Sequence, residues 1–201
     1  YNIQGPSFTV STACSSGGDA INTACMCMQS GKADIMLAVG AESVLCPLVI
    51  YSLANAKALS RRNDSPSTAS RPFDVTRDGF VIGEGGGALV LETEESANGR
   101  NARKYAEIKG YAQAHRPVSY DNSEVDSKAV VEVIEKACVN AGIEADNIDF
   151  VCCDDRKIIK TLMPCYDVSQ EIGNARAAAS AMTAAYAAEL LSDSCLLYTS
   201  P

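Results

Sequence analysis

The sequence predicts an α/β layered fold, and three observations carry that expectation. Short apolar runs alternate along the chain with segments of helical period. Two of those runs, Ile35–Gly40 and Ala88–Glu92, are almost continuously apolar, the pattern of strands buried on both faces. The Ala-rich stretch Ala175–Leu191 is apolar nearly all round, the pattern of a helix buried between layers.

Taken in order, Phe8–Thr12 is expected as a short strand, leading into the small-residue turn Cys14-Ser15-Ser16-Gly17-Gly18. Asp19–Ser30 is expected as a helix, with Ala20, Ala24, Cys27 and Met28 on one face and Gly31 just past its end. Residues 60–79 are polar and carry Pro66 and Pro72, which predicts a long surface loop, and loops of that length are usually functional. Gly83–Gly87 lacks the Lys-Ser/Thr of a phosphate loop and the dinucleotide spacing, so it is expected as tight backbone packing before a strand. Tyr105–Gly110 and Ile148–Cys152 are expected as further strands, with a helix over Val125–Ala141 between them, closed by Gly142.

Composition narrows the function classes. A length of 201 residues suits one domain with room for a core. A net charge of −8, with Arg61-Arg62 as the one basic dipeptide, gives no basic patch, so no nucleic-acid partner is expected. No apolar run approaches the roughly 18–20 residues of a membrane helix, so no membrane partner is expected. The opening residues lack the charged and apolar regions of a signal peptide. The nine cysteines are therefore expected as free thiols in a reducing cytoplasm. Cys25 with Cys27, and Cys152 with Cys153, miss the usual zinc spacing, and the chain has one His, so neither a metal nor a cofactor is expected.

Cys14 is the candidate nucleophile, expected largely buried at a strand-to-helix turn, with its sulfur near the N-terminus of the helix that begins around Ser16. A cysteine attacks a thioester as the thiolate, and a helix N-terminus favours that anion. The flanking Ala13, Ser15, Ser16, Gly17 and Gly18 let an acyl chain and backbone donors approach the sulfur. A strand, a sharp turn bearing the nucleophile and a buried helix form the nucleophile-elbow arrangement, in which the Cys14 N–H could serve an oxyanion. A small buried cysteine in a packed turn would give the same local pattern.

Longer blocks decide between the two. Ser11-Thr-Ala-Cys-Ser-Ser-Gly-Gly18 resembles the nucleophile motif of the β-ketoacyl-acyl-carrier-protein synthases, the condensing enzymes of fatty-acid and polyketide synthesis. Gly31-Lys-Ala-Asp-Ile-Met-Leu-Ala-Val-Gly-Ala-Glu42 and Ala58-Leu-Ser-Arg-Arg-Asn-Asp64 follow in the family's order. So does the long block Ser70-Arg-Pro-Phe-Asp-Val-Thr-Arg-Asp-Gly-Phe-Val-Ile-Gly-Glu-Gly-Gly-Gly-Ala-Leu-Val-Leu-Glu92. The resemblance is strong to about residue 112 and weaker, in register, to about Leu191; the elongating type II synthases are the most similar. It implies a thiolase-like layered αβαβα fold, present here in part, made of two similar halves. It also implies a homodimer at full length, paired through the strand at Phe8–Thr12. The implied partner is acyl carrier protein bearing acyl- and malonyl-phosphopantetheine thioesters.

On that resemblance, residues 1–92 are expected as the end of the first half, with the nucleophile elbow, and residues 93–194 as part of the second. Residues Cys195–Pro201 resemble a translated transposon-end sequencing adapter, and are expected to take no part in the fold. With no Met at its start, the chain reads as an internal gene fragment.

The second half departs from the family. Two family histidines polarise the malonyl thioester carbonyl and stabilise the enolate left by decarboxylation. The first belongs to a His-Gly-Thr-Ser-Thr motif; here the place reads Cys153-Asp154-Asp155-Arg156-Lys157, with Asp154 where the His stands. The second belongs to a Lys-Ser-Met-Thr-Gly-His motif; here it reads Ser169-Gln-Glu-Ile-Gly-Asn174, with Asn174 for the His and Ser169 for the Lys. An ionised Asp repels a developing oxyanion, whereas Asn can still donate through its amide. The one histidine, His115, matches neither motif and is expected in an exposed loop. Genuine divergence and a sequence error near the end of the read both account for the change.

Three functions compete on these grounds. One is a synthase that loads an acyl chain onto Cys14 and condenses it with malonyl-carrier protein. Another is a non-condensing, acyl-binding or transacylating homologue. The third is a non-catalytic partner subunit, a kind that usually lacks the nucleophile present here.

Overall fold

A computed structural model describes residues 3–115, 127–152 and 165–192. In chain order the elements are α1 (Ser16–Gln29), β1 (Ile35–Glu42), α2 (Pro47–Asn55), β2 (Gly85–Glu92) and α3 (Glu94–Gly99). They are followed by α4 (Ser127–Ala141), β3 (Val151–Cys152), β4 (Cys165–Tyr166), α5 (Ser169–Ile172) and α6 (Ala179–Ser192). Single 3₁₀ turns at Ala13–Ser15 and Arg176–Ala178 lead into α1 and α6.

Local chemistry sets the helix ends. Gly31, at φ 69°, closes α1 with Gly31 N–H bonded to Met28 O at 2.9 Å and Lys32 N–H to Cys27 O at 3.0 Å. That paired pattern is the Schellman motif, which favours glycine in the left-handed region. Gly142, at φ 68°, repeats it after α4, where its N–H reaches Val139 O at 3.2 Å and Ile143 N–H reaches Cys138 O at 3.0 Å. Both ends match the glycines singled out in the sequence.

β1 and β2 form an antiparallel pair over their full length, from Ile35 opposite Glu92 to Glu42 opposite Gly85. Side chains alternate across the pair. Met36, Ala38 and Gly40 face inward with Leu91, Leu89 and Gly87 opposite them, covered by α1 and α6. Ile35, Leu37, Val39 and Val90 lie on the other face and are at least half exposed. The expectation of strands buried on both faces is corrected here: α1 and α6 share one side of the sheet, and the described residues place no layer on the other.

The inner contact is made close by residues without bulk. A Cβ added at Gly17 would lie 2.7 Å from Ala177 O, and one at Gly40 would lie 2.8 Å from Ala181 Cβ. One at Gly87 would lie 2.6 Å from Met182 N and 2.7 Å from Ala181 C. α6 and its leading turn therefore rest on the sheet and on α1 through backbone and the Ala181 Cβ, and Ala178 and Ala181 are fully buried at that contact. The expected Ala-rich helix is present, with its first turn drawn into a 3₁₀ turn. It is mostly half-buried, Ala181 alone being buried within it, and the described residues do not enclose it between layers as expected.

Three expected strands change. Phe8–Thr12 and Tyr105–Gly110 form no ladder among the described residues, and Ile148–Cys152 is reduced to Val151–Cys152, paired in parallel with Cys165–Tyr166. Apolar alternation gives an extended backbone, but a strand also needs a hydrogen-bonded neighbour. Phe8 stays 56 % exposed, and Gly110 instead packs against the backbone of α4 at Ala137 and Ala141. Residues 60–79 are the expected loop, interrupted by one 3₁₀ turn at Pro66–Thr68. Among the described residues, no helix is long and apolar enough to cross a membrane.

The backbone contact at Gly87 gives a direct test. Gly87→Ala should lower the free energy of unfolding by about 1–3 kcal/mol, the usual cost of overpacking. Gly99→Ala, in α3 with open space around its Cβ position, should leave it unchanged or raise it by up to about 1 kcal/mol. Urea denaturation of the two variants side by side measures both.

Candidate active site

Cys14 sits in the 3₁₀ turn Ala13–Ser15, directly before α1. Ala13 has φ 57°, in the left-handed region where a side chain costs roughly 1–2 kcal/mol. Hydroxyl groups brace this strained turn. Ser16 Oγ accepts from Thr12 N–H at 2.9 Å and donates to Ala13 O at 2.6 Å. Ser15 Oγ lies 2.9 Å from Thr12 O and 3.0 Å from Asp19 Oδ2, and Thr12 Oγ1 donates to the same carboxylate oxygen at 2.5 Å.

The placement before the helix start is as expected, whereas the expected burial is not. Cys14 is exposed, because the turn stands at the rim of the α1 packing while Gly17, Ala24 and Cys27 take the buried positions. Neither Ala13 nor Ser15 covers it, both being exposed themselves.

The Cys14 turn packs against the turn Arg176–Ala178. That second turn also contains a strained non-glycine residue, Arg176 at φ 50°. Asn174 caps it: Asn174 Oδ1 accepts from Arg176 N–H at 2.9 Å. The Nδ2 amide, the side chain's only donor, is not used in this contact. The Asn174 backbone is clamped beside the approach to β2, its N–H reaching Val81 O at 2.7 Å and its O accepting from Gly83 N–H at 2.9 Å. Glu42, at the end of β1, accepts from Ala177 N–H at 3.3 Å. The turn before α1, the end of β1 and the turn Arg176–Ala178 thus meet in one place.

Ser169, expected in the place of the family Lys, spends its hydroxyl on the buried Asp167, to which it donates at 2.6 Å. Its carbonyl accepts from Ser70 Oγ at 2.7 Å, which ties the loop 60–79 to α5. Asp154 lies outside the described residues. His115 is exposed, as expected.

Sequence reasoning missed Asp19 and Glu42. For Asp19 a signal was present, since Ser16-Gly-Gly-Asp19 has the spacing of a helix capping box. Nothing in the sequence brings Glu42 next to Ala177, which is 135 positions away.

Residues 1–97 match the family model described as β-ketoacyl synthase, N-terminal domain. The chain belongs to the β-ketoacyl synthase family. Its curated relatives include 3-oxoacyl-[acyl-carrier-protein] synthase 2 of Rhizobium meliloti, 40% identical over 152 residues, or 75% of this chain and 36% of that protein. The synthase of the same name from Vibrio cholerae is 38% identical over 181 residues, 90% of this chain and 42% of that protein. The chain therefore spans well under half the length of either relative.

Solved ketosynthases share the fold. One, a ketosynthase bound to the hexaketide in complex with its type II polyketide acyl-carrier protein, superposes with a TM-score of 0.84 at 31% identity. That match covers 91% of this chain and 49% of the other. A β-ketoacyl synthase from Burkholderia phymatum gives 0.83 at 30% identity, covering 90% and 47%. The layered fold expected from the resemblance is thus shown, as a partial thiolase-like ketosynthase domain.

The loop of residues 60–79, joined to the site through Ser70, is held by Asp78. Its Oδ1 accepts from Ser60 Oγ and pairs with Arg71, each at 2.7 Å, and its Oδ2 accepts from Arg61 N–H at 2.8 Å. The Ser60 hydroxyl, then the Arg61 amide and Arg71, pull the Asp78 carboxyl down to about 2 from its ordinary 3.8. A folded value below the unfolded one stabilises the fold above about pH 3.8, and the stabilisation is lost as pH falls toward about 2. Asp78→Asn should therefore destabilise the protein at pH 7, and the gap between variant and wild type should close between pH 4 and pH 2. Urea unfolding at several pH values in that window measures the gap.

Proposed function

We propose that this chain is the acyl-accepting part of a 3-oxoacyl-acyl-carrier-protein synthase acting in fatty-acid or polyketide synthesis. The observation that carries the reading is the exposed Cys14 thiol, set on a strained turn at the start of α1 against the turn capped by Asn174.

The first half-reaction follows from that placement. The Cys14 thiolate attacks the carbonyl carbon of an acyl-phosphopantetheine thioester. The carbonyl electrons move to oxygen, and backbone N–H groups, with Cys14's own among them, can stabilise that charge. Collapse expels the phosphopantetheine thiolate, which takes up a proton, and leaves the acyl group on Cys14. The carrier-protein partner is supported by the relatives' names and by the solved ketosynthase complex.

In the complete reaction malonyl-carrier protein loses CO₂, and its enolate carbon attacks the Cys14 thioester and releases the thiolate. That step asks for donors on the malonyl thioester oxygen. On the proposed alignment the two positions carry Asp154 and Asn174. Asn174 can offer its Nδ2 amide hydrogens, while an ionised Asp154 opposes the developing charge. The second reading, a non-condensing acyl-transferring homologue, rests on these two residues. The proposal also takes residues 1–92 and 93–194 as parts of the two ketosynthase halves. It includes a full-length homodimer and a cytoplasmic setting that keeps Cys14 reduced.

Incubation with an acyl-carrier thioester should give an adduct on Cys14 by intact-protein mass spectrometry, and Cys14→Ala should abolish it. Labelled malonyl-carrier protein should release CO₂ slower than a typical family synthase by about 10²–10³ for each missing donor. Absence of any Cys14 adduct sinks the acyl-transfer reading. Robust CO₂ release that depends on Cys14 sinks the non-condensing one.

A further inference from the structure

We infer that Asp19 is a positioning residue for Cys14, acting through the hydroxyls of Thr12 and Ser15. The inference rests on the proposed role of Cys14 and adds to it the group that holds the nucleophile in place.

Thr12 and Ser15 flank the Ala13–Cys14 dipeptide, and one carboxylate oxygen of Asp19 meets both of their hydroxyls, at 2.5 Å and 3.0 Å. Ser15 Oγ carries a single proton and sits 2.9 Å from Thr12 O and 3.0 Å from Thr12 Oγ1 as well. The carboxylate, which only accepts at neutral pH, is therefore the point on which these donors converge. Between the two hydroxyls stands Ala13 at φ 57°, a conformation that persists only where its surroundings over-determine it. The hydroxyls and Asp19 close a ring over the strained residue, and Ser16 Oγ ties its two ends from the other side. Without the carboxylate, Ala13 can relax to the right-handed region. The Cys14 side chain then swings away from the turn Arg176–Ala178, which the nucleophile turn otherwise touches.

A simpler role for Asp19 would be charge at a helix N-terminus, since it lies in the first turn of α1. The two roles separate on substitution. Asp19→Asn loses the charge but keeps an oxygen that accepts the hydroxyls. Thr12→Val keeps the charge but removes one arm of the ring.

The test is amide hydrogen exchange on the full chain, read over residues 12–16 and over the end of α1, with acyl loading of Cys14 measured in parallel. Asp19→Ala and Thr12→Val should speed exchange over residues 12–16 by about tenfold or more, and leave residues 24–29 unchanged. Acyl loading should fall in step by about tenfold to a hundredfold, the scale of a small misplacement of a reacting group. Asp19→Asn should stay within about threefold of wild type on both readouts, because its oxygen still closes the ring. Unchanged exchange over residues 12–16 in Thr12→Val overturns the inference, and so does Asp19→Asn behaving like Asp19→Ala. Should Asp19→Ala fail to fold, Thr12→Val and Asp19→Asn decide alone. A wild-type chain with no adduct at Cys14 removes the functional reading, while the exchange comparison still decides the positioning role.

Discussion

The rest of this structure depends on how closely α6 approaches the sheet and α1. Three glycines from three separate elements, Gly17, Gly40 and Gly87, lie under the backbone of residues 177–182. Each leaves room that a methyl group would fill. Close packing of this kind is stiff, because the contacting atoms are main chain or the Ala181 Cβ and have no rotamer to change. It fixes α6 and its leading turn relative to the N-terminus of α1. Any group carried on that turn is thereby fixed relative to Cys14.

Strain is concentrated where the packing ends. Ala13 and Arg176 both take left-handed backbone, and they belong to the two turns that touch. Four positive-φ non-glycine residues occur among the described residues, and two of them fall at this single junction. Backbone strain marks places where the chain is held for a purpose other than its own stability. Here it lifts Cys14 out of the helix register to the rim, where the thiol is exposed. Around it, Ser16, Asn174 and Glu42 accept hydrogen bonds from backbone N–H groups at these turns.

The same geometry divides the proposed chemistry. What acyl transfer needs of the chain lies on the Cys14 side: a thiol at a helix start and backbone donors. What decarboxylation needs is, on the proposed reading, donors on the other side, where Asn174 Oδ1 accepts from Arg176 N–H and only Nδ2 can donate. Family membership and the loss of histidines therefore bear on different steps.

Much of this was legible in the sequence by itself. Both helix-closing glycines, the two long strands, the loop of residues 60–79 and the start of α1 beside Cys14 follow from local patterns, whose energetics act within a few residues. The resemblance blocks gave the family. What the sequence did not determine is everything that needs a distant partner. Phe8–Thr12 and Tyr105–Gly110 have the alternation of strands and form no ladder among the described residues, since pairing belongs to two segments and not to one. Exposure of Cys14, the open apolar face of the β1–β2 pair, and the meeting of Glu42 with Ala177 were likewise settled only by tertiary packing. Burial and contact are properties of what lies opposite a residue, and the glycine-lined approach of α6 decides what lies opposite here.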